Sequence, residues 1–128
     1  MKKFTLVLFL LCTASFGADW QYATPIASPI TTNAAVVIKA GVANKRNSVT
    51  GLQAVNTSAT VATIVTIKDG STVIWTGHLP LTSASLQAVP VSIEFPTPLR
   101  GSVNSDLSFV VNTTGANIFI SAQGESSF

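Results

Sequence analysis

From residue 19 onward the hydrophobic and polar positions follow a period of two, broken repeatedly by turn-forming residues. Leu107, Phe109 and Val111 alternate with Ser108, Val110 and Asn112, and Ile118, Ile120 and Ala122 alternate with Asn117, Phe119, Ser121 and Gln123. Val89, Val91, Ile93 and Phe95 likewise oppose Pro90, Ser92 and Glu94. Successive side chains of a strand point to opposite faces, so each run predicts a strand with one buried face. Pro90 falls in the outward set and predicts an edge or a bulge. Three further runs rich in β-branched residues, 34–39, 48–56 and 60–68, predict strands on propensity. Residues 19–33 carry Pro25 and Pro29, which forbid a helix and suit an extended arm. No helix is expected after residue 18.

The strongest local feature is Lys68-Asp69-Gly70-Ser71, which joins Val61–Ile67 to Thr72–Thr76. An Asp-Gly pair between two β-rich runs predicts a tight hairpin whose central residues reach positive φ. Thr113-Thr114-Gly115 predicts a second turn. The segment Phe95-Pro96-Thr97-Pro98-Leu99-Arg100-Gly101 is expected to break strand pairing. The result is about seven or eight short strands with turn signals every eight to twelve residues, an all-β antiparallel β-sandwich of jelly-roll type. The sandwich is assigned to residues 34–128, preceded by an arm over 18–33. No internal repeat has a solenoid or propeller period.

Composition sharpens this. The 128 residues are 47% hydrophobic and 9% charged, with a formal net charge of +2. Lys2 and Lys3 precede the apolar run Phe4–Cys12 and the small or polar residues Thr13-Ala14-Ser15, the pattern of a secretory leader over 1–17. The apolar run is too short for a spanning helix, which needs about twenty residues, so no membrane span is expected once the leader is removed. Beyond it, five basic residues (Lys39, Lys45, Arg46, Lys68, Arg100) balance five acidic ones (Asp19, Asp69, Glu94, Asp106, Glu125). Cys12 is the sole cysteine and lies in the leader, so the domain is expected to hold no disulfide. A neutral domain supplies little counterion release, and no aromatic residue neighbours the basic pair Lys45-Arg46. Nucleic acid is not an expected partner; Lys45 and Arg46 are taken as a solvated loop tip available for contact.

The candidate chemistry is thin. His78 is the only histidine, so it would have to be the base of any hydrolytic triad, yet no nucleophile elbow accompanies it. Paired carboxylates could cleave glycosides. Here Asp69 and Asp106 are accounted for by turns, Glu94 by strand alternation, and Asp19 and Glu125 by their places near the ends. One histidine, no cysteine in the domain and no Asp-x-Asp pattern argue against a metal centre. No glycine-rich phosphate loop is present, so neither cofactor nor catalytic residues are expected. Trp75 on the hairpin is assigned to the core. Trp20 and Tyr22, in the proline-containing arm, are the candidates for exposed contact. Asn56-Thr57-Ser58 and Asn112-Thr113-Thr114 match glycosylation triplets.

Val61–Ile67 is uncharged, β-branched and free of proline, so on an open edge it would pair with other chains. It must be hidden in a closed sandwich or used between subunits. Low charge fits a subunit of an assembly, a homo-oligomer with a trimer among its candidate forms.

Several stretches carry a resemblance: Asn56–Thr60, Ile67–Gly77 with Leu79-Pro80, Phe95–Gly101, and Thr114–Asn117 with Ala122–Gly124. Over residues 48–124 the chain resembles small all-β virion-associated proteins of tailed bacteriophages. That resemblance implies a non-enzymatic head-decoration, tail or fibre accessory subunit, located in the virion and bound to other virion proteins. The leader points elsewhere, because a capsid subunit assembles in the cytoplasm. It implies an exported bacterial module, periplasmic or secreted, directed to a cell surface or a glycan, with Trp20, Tyr22 or loop residues in contact.

Overall fold

The computed structural model describes residues 18–82, 88 and 90–128; the expected leader over 1–17, with Cys12, and Val89 lie outside the described residues. Eight strands follow one another: β1 (Ala18–Ala23), β2 (Val36–Lys39), β3 (Arg46–Asn56), β4 (Thr63–Asp69), β5 (Thr72–Leu79), β6 (Val91–Val103), β7 (Leu107–Val111) and β8 (Ile118–Ser127). They form two four-stranded sheets, a front sheet ordered β1-β8-β3-β6 and a back sheet ordered β2-β7-β4-β5. Every pairing is antiparallel. Pairs β1–β8, β2–β7, β3–β6 and β4–β5 nest one inside the next, as in a long hairpin rolled into two layers. That is the jelly roll the alternation predicts. Among the described residues there is no helix.

The run expected to be dangerous on an open edge becomes β4, flanked by β7 and β5 in the back sheet. Its Val65 and Ile67 are fully buried and sit opposite Val111 and Phe109 of β7. From the front sheet Val49, Leu52, Ile118 and Ile120 face them, giving one continuous apolar core. Each such fully buried aliphatic or phenyl side chain contributes about 1.5–3 kcal/mol. Trp75 is partly buried against this core and meets Phe95 of β6 edge to face, with ring centroids 6.1 Å apart. It therefore bridges the neighbouring edges of the two sheets.

Two local expectations change. Asp69 is the last residue of β4 and pairs with Thr72, so the hairpin loop is Gly70-Ser71. Gly70 alone takes positive φ, at 56°. This is the glycine-first pattern of a type II′ turn, not the Asp-Gly type I′ pattern, which needs positive φ at both central residues. The Pro96-Thr97-Pro98 segment does not end its strand. Gly51 pairs with Glu94 and Val49 with Leu99, so Phe95–Pro98 bulge out of register and pairing with β3 resumes beyond them. A bulge tolerates residues that lack an N–H.

The start of the arm is corrected as well. Residues 18–23 are the outer strand of the front sheet, hydrogen-bonded to β8 throughout. The stretch after it stays tied down: the Ile30 N–H donates to the Ile118 carbonyl oxygen (2.9 Å) and the Gly115 N–H to that of Thr31 (3.0 Å). Trp20 points inward and retains only 7% exposure. Its indole lies against Gly124, where an added Cβ would sit 2.5 Å from Trp20 Cζ2, and its Nε1–H donates to the Glu125 carbonyl oxygen (3.2 Å). The pairing of Trp20 with a side-chain-free residue makes room for the ring inside the sandwich. Tyr22, two residues on, shares that inward face and is partly buried on the core. The expectation of two exposed aromatic contacts is thus overturned at Trp20 and weakened at Tyr22.

Candidate assembly surface

Among the described residues the two open sheets have four edge strands, β1, β6, β2 and β5, and their sequences treat solvent differently. β1 is six residues long and carries Asp19; β2 has four residues, a register irregularity between Val37 and Lys39, and a terminal lysine. β6 carries Glu94, Arg100, Pro96 and Pro98 and the bulge described above. Charge, shortness, proline and bulging are the devices that keep edges from recruiting other strands. β5, Thr72-Val73-Ile74-Trp75-Thr76-Gly77-His78-Leu79, has neither proline nor an acidic, lysine or arginine residue. Its irregularity lies between Val73 and Trp75, opposite Lys68 and Ile67, which leaves Trp75–Leu79 in regular register with β4.

The outer side of this edge is mildly apolar. Val73 and Ile64 are exposed there, and an open groove beside β5 is lined by Ala62, Thr63, Ile64, His78, Leu79 and Pro80 with Thr113. His78 pairs across the ladder with Ile64. The nearby Thr63 hydroxyl is committed, donating to the Ile64 carbonyl oxygen (3.2 Å) and accepting from the Thr113 N–H (3.2 Å). No carboxylate lines the groove, so His78 has no acid to orient it there.

Lys45 and Arg46 stand where β3 begins, with Arg46 exposed and paired with Ser127 of β8, whereas Trp20 and Tyr22 face inward, so the four sequence candidates do not share one exposed surface. The loop holding Lys45 is clasped to the β6–β7 turn. The Asn44 N–H donates to Asn104 Oδ1 (2.6 Å), the Asn104 N–H to the Lys45 carbonyl oxygen (3.0 Å), and the Gly41 N–H to Asp106 Oδ1 (2.6 Å). Asn44 and Asn104 both take positive φ, which asparagine tolerates better than other side chains. Lys45 Nζ stands 4.7 Å from the ring centroid of Phe128, itself 80% exposed.

Asp69 ties the sheets together. Its Oδ2 accepts from the Ser102 N–H (2.9 Å) and hydroxyl (2.7 Å), joining the hairpin of the back sheet to β6 of the front sheet. Burial acts to raise the Asp69 pKa. The hydroxyls of Ser105 and Ser102, the Ser102 N–H and the Arg46 guanidinium outweigh it and hold the carboxyl below its ordinary value. Of the two hydroxyls, Ser102 is the one with hydrogen-bond geometry; Ser105 Oγ is turned toward the Asp106 carbonyl oxygen and Asp69 Oδ1 is left without a partner. A buried polar centre lies nearby, where Asn47 donates to the Ala40 carbonyl oxygen (2.9 Å) and accepts from the Ser126 hydroxyl (2.6 Å).

The front sheet holds residues that the sequence did not single out. Gln21, Gln123, Gly51 and Glu94 pair in succession across β1, β8, β3 and β6, so one rung presents two amides and a carboxylate around a glycine notch. No local pattern marks this rung, because it exists only once the register of four strands is known. The glycosylation triplet at Asn56 is spent internally. Asn56 is buried, donates to the Val61 carbonyl oxygen (2.6 Å) and accepts from the Ser58 N–H (3.0 Å).

Comparison with protein-family models, with curated proteins and with solved structures found no match to this chain.

Proposed function

We propose that the chain is a structural subunit that acts by assembly rather than catalysis, of the kind that covers a phage-type particle as a head-decoration, tail or fibre accessory protein. The observation that carries this reading is the contrast among the edge strands of the described residues: three carry formal charges, and β5, regular over Trp75–Leu79, carries neither formal charge nor proline. A monomer under selection for solubility would blunt that edge too. Jelly rolls serve capsids, lectin domains and cupins alike, so the fold by itself is an analogy and the edge is the argument. Sedimentation equilibrium of the full chain tests it: stable oligomers at micromolar concentration are expected, and a monomer under those conditions rejects the reading.

A second reading is favoured by the amide and carboxylate rung of the front sheet, whose hydrogen-bonding groups suit the hydroxyls of a glycan. It corresponds to an exported surface module. Mass spectrometry of the native protein divides the two. A chain beginning at Met1 or Lys2 within purified particles supports the virion subunit; loss of 1–17 or 1–18 together with a positive glycan panel supports the exported binder.

A further inference from the structure

We propose that the open β5 edge is occupied by β5 of a second copy, paired antiparallel about a two-fold axis near Gly77, so that two back sheets fuse into one of eight strands. This rests on the assembly reading and names its partner. A strand edge offers unpaired N–H and C=O groups along its length, and another strand satisfies them all. The identical strand fits because β5 has no lysine, arginine, aspartate or glutamate at any position, so whichever of its residues a two-fold axis sets opposite one another bring no ionic repulsion. β1 carries a charge, Asp19, on only six residues, and β2 carries Lys39 on only four. β6 would present prolines that cannot donate. β5 brings no formal like charges together. The regular part of β5, Trp75–Leu79, has Gly77 at its centre. With the axis there, Thr76 of one copy lies opposite His78 of the other on the exposed outer face, and Trp75 lies opposite Leu79 on the inner face. The closed two-fold unit also departs from the trimer that composition alone left open, since one edge pairing with itself makes dimers and not rings of three.

Charge introduced on the outward face tests the pairing without touching the core, because Thr76 and His78 are both exposed. Sedimentation of the full chain is expected to give a dimer, and Thr76→Lys and His78→Glu are each expected to raise its dissociation constant at least tenfold with unchanged circular dichroism. The double variant Thr76→Lys/His78→Glu is expected to recover the dimer, since each lysine then faces a glutamate of the other copy. Should a single variant misfold, cysteines carry the test. In a Cys12→Ser background, a mixture of Thr76→Cys and His78→Cys chains is expected to form a mixed disulfide dimer on air oxidation, and its absence overturns the pairing. An oligomer indifferent to Thr76→Lys overturns the β5 interface while leaving assembly standing. A wild-type monomer overturns both.

Discussion

At the scale of single residues, the two tryptophans show how a sandwich disposes of its largest side chains. Each ring lies on a glycine, Trp20 on Gly124 and Trp75 on Gly77, where a Cβ would collide with the indole. Trp20→Ala is expected to cost about 3–5 kcal/mol, read from the shift in urea midpoint at constant slope. Lys45→Ala, which removes a surface cation from the Phe128 ring, is expected to cost about 0.5–1 kcal/mol. The order of these effects reverses what the local sequence implies. Trp20 shares a short stretch with Pro25 and Pro29, which read as an arm, but its hydrogen-bond acceptor is 105 positions away. No window of a few residues carries that information. Asp69 gives a pH-dependent case. Its folded pKa lies below the unfolded value near 3.8, so its contribution to stability is present above that value and is lost as pH falls through the folded one. Asp69→Asn is expected to be less stable than wild type at neutral pH and to converge with it in acid, a difference that thermal melts from about pH 6 down to about pH 2 would trace.

At the scale of elements, alternation located the inward faces of β6, β7 and β8 because each has one side in the core, and a period of two then follows from the pleat. β7 is the instructive exception. All five of its residues are buried, including the outward-pointing Ser108 and Val110, whereas β8, flanked on both sides as well, keeps its alternation. The hairpin was visible because its constraint is local, whereas its type depends on which residues the ladder takes up. Asp69 joins the ladder and engages Ser102, leaving Gly70 as the residue that needs positive φ. Gly70→Ala is accordingly expected to destabilise by about 1–2 kcal/mol, the cost of a side chain in the left-handed region, with the fold retained by circular dichroism. The edges were legible only in part. The hazard of an uncharged β-branched run was plain at Val61–Ile67, yet that run became the interior strand β4. The exposed edge passed to the strand after the hairpin, because the order of strands within a sheet is set by long-range pairing and not by the composition of any one of them.

At the scale of the whole molecule, the nesting of β1–β8 around β2–β7, β3–β6 and β4–β5 makes β4–β5 the only pairing among the described residues that is closed by a short turn. Every other ladder must bring distant parts of the chain together before its contacts reward the lost entropy, and the β1–β8 ladder must join the two ends of the domain. Refolding from urea is therefore expected on the millisecond-to-second scale typical of all-β sandwiches. The β4–β5 hairpin with the β7 strand beside it is the cheapest nucleus, since its contacts span the least chain for the apolar area they bury. Truncations within it, such as Ile67→Val, are then expected to slow refolding. Trp20→Ala, acting on a strand that docks last, is expected to leave refolding nearly unchanged and to accelerate unfolding. Stopped-flow tryptophan fluorescence at a concentration where subunits are dissociated separates the two. A large decrease in the folding rate of Trp20→Ala would place the outer pair of strands in the nucleus and invert the order of assembly argued from the topology.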